Sequence, residues 1–253
     1  VHGTGLASPD EEACVSIPIS VMMLSRGSAE MSATAVKSLQ DTAIGEFQLV
    51  FVDNGSDKSE KLSDAITPIL STKDIFVRNE VNRSVARATN QAASLSDGVY
   101  LLWLNNDIVA HGDWQTPLLT EGVKYDLCGP TVRQIGIVEE LKAMMCRREN
   151  GVMADAEPSS NGAYVEGWCL FIRRDYYKYI GGLDEVFWPM YCEDTDLSFR
   201  VVATGGKLGK VPVPIRHIGS VDTMKYYEQR YKETLNMANN YKLYARWVQG
   251  AIL

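Results

Sequence analysis

Apolar residues in this chain gather in short runs that stop abruptly at polar ones. Residues 16–24 (SIPISVMML), 47–52 (FQLVFV), 75–78 and 99–104 (VYLLWL) have strand length, and each ends beside a turn-forming or acidic cluster. Between them lie helical stretches at about 29–40, 64–70 and 82–95. The turn Ser25-Arg26-Gly27-Ser28 parts the first strand from the first helix and offers a helix cap. Strands alternating with helices, apolar on both faces, predict βαβ units and a mostly parallel central sheet flanked by helices, an α/β fold. The second half is less regular. A Gly/Asn/Ser/Pro/Asp-rich stretch at 149–162 reads as a mobile loop, and one or two hairpins are expected without a definite place. From 222 to 253 the pattern is helical, with Tyr227, Tyr231, Leu235, Ala238, Tyr241 and Tyr244 at three- or four-residue spacing.

Composition narrows the class. With 253 residues, 45% of them hydrophobic and 23% charged, the chain can bury a full core by itself. A formal charge of -7 provides no basic field for a polyanion such as duplex DNA. Arg147-Arg148 and Arg173-Arg174 are local basic spots, read either as acceptor contacts or as solvated surface charge. Five cysteines, odd in number and never in a C-x-x-C pair, argue against a disulfide framework or a zinc ribbon and fit a reducing cytoplasm. No run of eighteen apolar residues and no signal-like start is seen, so a cytoplasmic protein without a membrane segment is expected.

The chemistry sits where the strands stop. In an open α/β sheet ligands bind outside the carboxyl ends of the strands, and three polar loops fall there: 25–28, 53–57 and 105–107. Asp53 closes one strand in V-D-N-G-S-D and Asp107 another in L-N-N-D, where a carboxylate suits a nucleotide or a metal, or simply caps the next turn. Further on, Glu193, Asp194 and Asp196 crowd three carboxylates into four residues after Phe187, Trp188 and Tyr191. At a helix start such charges are tolerated, which is enough to explain Asp196. Aromatic neighbours that exclude water would also keep a carboxylate basic enough to accept a proton. His217 follows the apolar run 211–215 and reads as packed, exposed or a ligand.

These segments, taken in order, resemble the family-2 glycosyltransferases. SVMMLSRG is similar to their first strand and loop, VFVDNGSD to their nucleotide loop and VNRSVARATNQA to their N-x-G-x-A-x-x-x-N helix start. YLLWLNND resembles the strand that ends in their D-x-D metal motif, and GWCLFIRRDYYKYIGGLDEVFWPMYCEDTDLSFRVVATG their acceptor segment with its Glu-Asp base motif. The likeness covers about residues 16–220. It implies a Rossmann-like GT-A fold with a C-terminal helix. The expected organisation is a flexible segment at 1–15, a catalytic domain at 16–222 (nucleotide part about 16–110, acceptor part about 111–222) and a helical extension at 223–253.

The resemblance further implies roles. Asp53 would meet the base or ribose of a nucleoside diphosphate sugar, with Ser25, Arg26, Asn54, Asn82, Asn105 and Asn106 around the donor and Arg87 reaching the diphosphate or sugar. Asp107 would bind Mn²⁺ or Mg²⁺, with His217 where some relatives place another metal ligand. Asp194 would be the catalytic base, with Glu193 as its rival, and Trp168 and Trp188 would contact sugar rings or belong to the core. Two departures matter. The first D-x-D position is Asn105, which removes one negative charge from the metal motif. The glycine expected after Asn82-Arg83 is Ser84, tolerable there only with φ below zero. The implied reaction is inverting transfer from a uridine or thymidine diphosphate sugar to an acceptor hydroxyl. Glycan, lipid, protein and nucleobase acceptors all stay open, as do a nucleotidyltransferase and a non-catalytic sugar-binding module.

Overall fold

The computed structural model describes residues 17–135, 157–159, 162–219 and 229–250. The first half is the expected alternation: β1 (Ile19–Ser25), α1 (Ala29–Thr42), β2 (Gln48–Asn54), α2 (Leu62–Ile66), β3 (Ile75–Asn79), α3 (Val85–Ser94) and β4 (Tyr100–Asn105). Then follow β5 (Ile108–Ala110), α4 (Gln115–Thr120), β6 (Leu127–Gly129) and β7 (Val132–Gln134). Beyond the undescribed residues come β8 (Ala163–Val165), β9 (Cys169–Arg173), α5 (Arg174–Tyr179), α6 (Glu193–Ala203), β10 (Leu208–Lys210), β11 (Ile215–His217) and α7 (Gln229–Trp247).

Among the described residues seven strands form the central sheet in the order β10-β6-β9-β4-β1-β2-β3. The β1–β2, β1–β4, β2–β3 and β6–β10 pairs are parallel, while β9 runs antiparallel to both β4 and β6. Side chains on β2 alternate between two cores, as the period of a strand requires. Leu49 and Phe51 join Val36, Leu39 and Trp114 on one face, and Val50 and Val52 join Ala88, Ala92, Leu197 and Val201 on the other. Burial on both faces explains why these strands read as unbroken apolar runs. The register also lines up the polar ends: Ser25 lies opposite Asp53, Asp53 opposite Arg78, and Leu24 opposite Asn105. Two further antiparallel pairs, β5–β11 and β7–β8, join strands distant in sequence, so neither is a hairpin of the kind expected in the second half.

Three local expectations are corrected. Ser28 occupies the N-cap position of α1 at φ 52 but makes no capping bond with its side chain. Ser84 has φ 76 rather than a negative value. That strained backbone costs on the order of 1–3 kcal/mol and is held by local bonds. Its N–H donates to Asn82 Oδ1 at 2.9 Å, its carbonyl accepts from Asn54 Nδ2 at 3.1 Å, and its Oγ accepts from Arg87 N at 3.3 Å. On α7, Tyr241 of the expected apolar stripe is exposed, whereas Asn239, Asn240 and Leu243 are buried. The polar face is inward because its partners are carbonyls and carboxylates.

Cys128, Cys169 and Cys192 are buried free thiols, and burial pushes Cys128 up to about 12. Arg174 donates to the Ser96 carbonyl and is a structural group. No helix among the described residues is long and apolar enough to cross a membrane. The segment 1–15, Cys14, Cys146, Arg147-Arg148, Tyr227 and most of the 149–162 loop lie outside the described residues.

Candidate functional site

A cleft of about 320 Å³ opens at the carboxyl edge of the sheet. One wall is made by the strand-end loops and carries Ser25, Arg26, Asn54, Asn82, Asn105, Asn106 and Asp107; the other carries Glu166, Gly167, Trp168, Tyr191, Glu193, Asp194 and His217. Residues far apart in sequence therefore meet in one hollow, at the place where this fold class binds ligands. A second hollow of about 460 Å³, lined by Gln40, Glu46, Ser71, Lys73 and Asp74 among others, lies at the opposite edge and gathers none of the candidate residues.

Asparagines brace the wall made by the strand-end loops. Asn54 Oδ1 accepts from Asn79 Nδ2 at 3.2 Å and Arg83 N at 3.0 Å, and its Nδ2 donates to Asn82 Oδ1 at 3.1 Å. Asn106 Nδ2 donates to Ser25 Oγ at 3.0 Å and Ser32 Oγ at 3.1 Å, tying the β4 end to the β1 loop. Asp53, Arg87 and Trp188 do not line the cleft. Asp53 is fully buried, pairs with Arg78 and accepts from Ser56 N at 2.9 Å. Arg87 pairs with Glu185 at 2.8 Å across the surface, and Trp188 is 47% exposed. Arg78 escaped the sequence reading. Its only signal was a cation at the end of an apolar strand, and its role depends on the β2–β3 register.

At one end of the cleft Asp107 Oδ1 lies 3.1 Å from His217 Nε2, and Asn105 Nδ2 lies 3.3 Å from the same nitrogen. The imidazole is stacked on Trp168, with ring centroids 5.0 Å apart and planes at 4°, so its direction is set by packing. Trp168 itself is 8% exposed and belongs to the core as well as to the cleft wall. Two ligands at about 2.1 Å from one Mg²⁺-sized ion, at a right angle, stand about 3.0 Å apart, so this pair fits a divalent cation. Among the described residues no three His, Cys, Asp or Glu side chains converge on one point. A cation here would draw its other ligands from Asn105, water and substrate phosphate, the arrangement in which Mg²⁺ is commonly held.

The carboxylate pair opens α6, as the acidic run suggested. Tyr191 and Cys192 precede it in left-handed conformations, φ 78 and 72, and turn the chain sharply into the helix. Asp194 Oδ2 accepts from Gly167 N at 2.7 Å and Oδ1 from Thr195 N at 2.7 Å. A Cβ on Gly167 would stand 3.0 Å from that Oδ2, so only glycine permits this approach without displacement. Glu193 is buried, and its Oε2 has no hydrogen-bond partner. Burial, followed by the neighbouring Asp194 charge, pushes Glu193 up to about 8. Burial also raises Asp194, against the bonds from Gly167 and Thr195. Two close carboxyls in a dry place hold a proton more tightly than either would in water. Asp196 points away, bonded to Arg200 at 2.8 Å, Arg246 at 2.9 Å and Trp247 Nε1 at 3.0 Å, and is structural. Glu166, absent from the sequence reading, lines the cleft and pairs with Arg133 at 3.5 Å.

The sequence matches the family model described as Glycosyl transferase family 2 over residues 20–181. It is 24% identical over 200 residues to the uncharacterized protein y4gI of Sinorhizobium fredii, covering 69% of this chain and 21% of that protein. WcaA of Escherichia coli, named provisionally as a colanic acid biosynthesis glycosyl transferase, is 24% identical over 89 residues, 35% of this chain and 32% of WcaA. The chain thus spans about a fifth to a third of the curated relatives it matches. The fold is similar to the crystal structure of GalNAc-T7 with UDP, GalNAc and Mn²⁺, with TM-score 0.66 and 16% identity over 92% of this chain and 49% of that one. It is also similar to S. aureus TarS 1-349, with TM-score 0.52 and 12% identity over 92% and 73%. These two likenesses concern the GT-A fold.

Proposed function

The chain belongs to glycosyl transferase family 2, and from that membership we propose that it transfers a sugar, with inversion, from a uridine or thymidine diphosphate sugar to an acceptor hydroxyl. The observation that carries this reading is a single cleft shared by the Asp107–His217 pair and the Glu193–Asp194 pair. One pair suits the leaving group and the other the acceptor proton.

Asp107 and His217, with Asn105 beside them, would hold the cation, Mn²⁺ or Mg²⁺. A cation at that place would supply neutralisation of the charge that develops on the departing nucleoside diphosphate. An imidazole in the shell favours Mn²⁺, because Mg²⁺ prefers oxygen ligands. Asn54, Asn82, Asn106, Ser25 and Arg26 shape the donor side. Asp53, fully buried outside the cleft lining and bonded to Ser56 N and Arg78, would meet the pyrimidine base only if the 53–57 loop opens. Arg87 reaches the donor only by leaving Glu185, and Trp188 stands at the outer rim for an acceptor ring. Asp194 takes the proton from the acceptor hydroxyl on the far side of the anomeric carbon, giving single displacement without a covalent enzyme intermediate. Glu193, held protonated near neutral pH, keeps the pair from carrying two charges at once.

Release of nucleoside diphosphate from a panel of sugar nucleotides, with Mn²⁺, Mg²⁺ or EDTA, tests the reading. Metal-dependent release from uridine or thymidine diphosphate sugars is expected. Release of pyrophosphate would point to nucleotidyl transfer, and sugar binding without turnover to a binding module. A clear preference for guanosine diphosphate sugars would overturn the pyrimidine assignment.

A further inference from the structure

The family match ends at residue 181, while the carboxylate pair, the loop before it and α7 all lie beyond that point. What places Glu193 and Asp194 is therefore a question about this chain's own residues. We infer that Asn239 of α7 is a positioning residue for the carboxylate pair, acting by fixing the strap of residues 188–191 that leads into α6. The inference rests on the reading above, in which that pair handles the acceptor proton.

Asn239 is fully buried. Its Nδ2 faces three carbonyls of the strap, Met190 at 2.7 Å, Trp188 at 3.2 Å and Tyr191 at 3.4 Å. The carbonyl between them, Pro189 O, points the other way and accepts from Val85 N at 2.9 Å, the first residue of α3. Four consecutive carbonyls are thus gripped from two sides, by α7 and by the helix that follows Asn82 and Ser84 on the donor wall. Pro189, Met190 and Tyr191 line the cleft, so the gripped backbone is itself a wall of the site.

The remainder of α7 serves the same contact. Residues 239, 242, 243, 246 and 247 share one helical face, and each engages residues within 184–199. Lys242 Nζ donates to Val186 O at 2.8 Å and to Asn239 Oδ1 at 2.9 Å. Arg246 pairs with Asp184 at 2.7 Å and with Asp196 at 2.9 Å. Leu243 packs with Phe187, Cys192 and Phe199, and Trp247 meets Phe199 edge-on. A helix that merely covered a core would turn apolar residues inward; this one turns in donors aimed at the loop. The left-handed Tyr191 and Cys192 need such support, since nothing intrinsic to those side chains favours that backbone.

The test compares the full chain with Asn239→Asp, Asn239→Ala and, as a control on the exposed face of α7, Tyr241→Ala. Asn239→Asp keeps the size and the Lys242 contact but removes the donors to the strap, so it separates holding from folding. Hydrogen exchange followed by mass spectrometry needs no ligand. Residues 184–196 should exchange about tenfold faster or more in both Asn239 variants, with β1 and β4 unchanged and Tyr241→Ala like the parent. With the sugar nucleotide that the panel selects, kcat should fall by about tenfold to a hundredfold, the scale of a small displacement of a catalytic group. The donor KM should stay within about twofold, and the pH profile of kcat should shift toward ordinary carboxylate values as the pair becomes wetter. Unchanged exchange at 184–196 would overturn the hold. Faster exchange with unchanged kcat and pH profile would overturn the positioning role and leave the transferase reading intact. No turnover of any sugar nucleotide by the parent chain would overturn both.

Discussion

Asp107 and His217 meet at 3.1 Å although 110 residues separate them. The antiparallel β5–β11 pair makes the meeting, setting His217 opposite Ile108, and Ile218 N donates to the Asp107 carbonyl at 2.8 Å. Because Asp107 is the only carboxylate of its strand-end motif, it should carry the cation dependence of donor binding. Calorimetry with uridine diphosphate, with and without EDTA, should show a divalent requirement in the parent chain that Asp107→Ala abolishes. Equal affinity in both conditions for the parent would sink the metal assignment.

His217→Ala should lower turnover and move the Mn²⁺-to-Mg²⁺ activity ratio toward Mg²⁺, since it removes the one nitrogen ligand while Asp107 stays. The fold should survive, because Trp168 remains buried by the rest of its cluster. An unchanged ratio would assign the histidine to packing alone.

Asp194→Asn should cut turnover by about a hundredfold or more while donor and metal binding stay near those of the parent, the scale for losing a positioned general base. Asn can still accept from Gly167 N through its carbonyl but gives up the bond from Thr195 N, so the isosteric change keeps one of the two backbone anchors. Glu193→Gln, measured beside it, is expected to be the milder change. The reverse order of severity would make Glu193 the base.

Glu193 also links stability to pH. Its folded value of about 8 lies above the ordinary 4.5, so the folded chain holds a proton that the unfolded chain has lost across that interval. The stabilisation is fully present below about pH 4.5 and is lost as pH rises through about 8. Glu193→Gln removes this dependence, so its Tm relative to the parent should rise between pH 5 and pH 8.5. A constant difference across that range would show that the glutamate titrates normally.

Much of this site could be read before the fold was known, because a strand buried on both faces announces its end by the first polar residue. Asn105 and Asp107, which line the cleft, stand at such an end, as does Asp53, which is buried outside the cleft lining. The Glu193–Asp194 helix start was equally visible, since three carboxylates in four residues need a helix amino end or a ligand. What escaped was whatever depends on register or on backbone strain. Arg78 meets Asp53 only because β3 pairs with β2 in one alignment. Ser84 takes φ 76 because Asn54 and Asn82 hold it there, which no local propensity reports. The docking face of α7 was missed for a different reason: Tyr241 of the tyrosine pattern points outward, while the inward strip is rich in amides and charges.

The place of β9 has a consequence for how the polypeptide must be made. It enters the sheet between β4 and β6, with Leu104 paired to Cys169 and Tyr100 to Arg173. A fragment ending near residue 110 would keep β1 to β4 and their polar strand ends, yet leave β4 as an apolar edge with its amides and carbonyls unpaired on one side. Such an edge recruits other strands. During synthesis the same edge stays bare until the later strand has emerged, so the first half should depend on the rest of the chain, or on a chaperone, to stay monomeric.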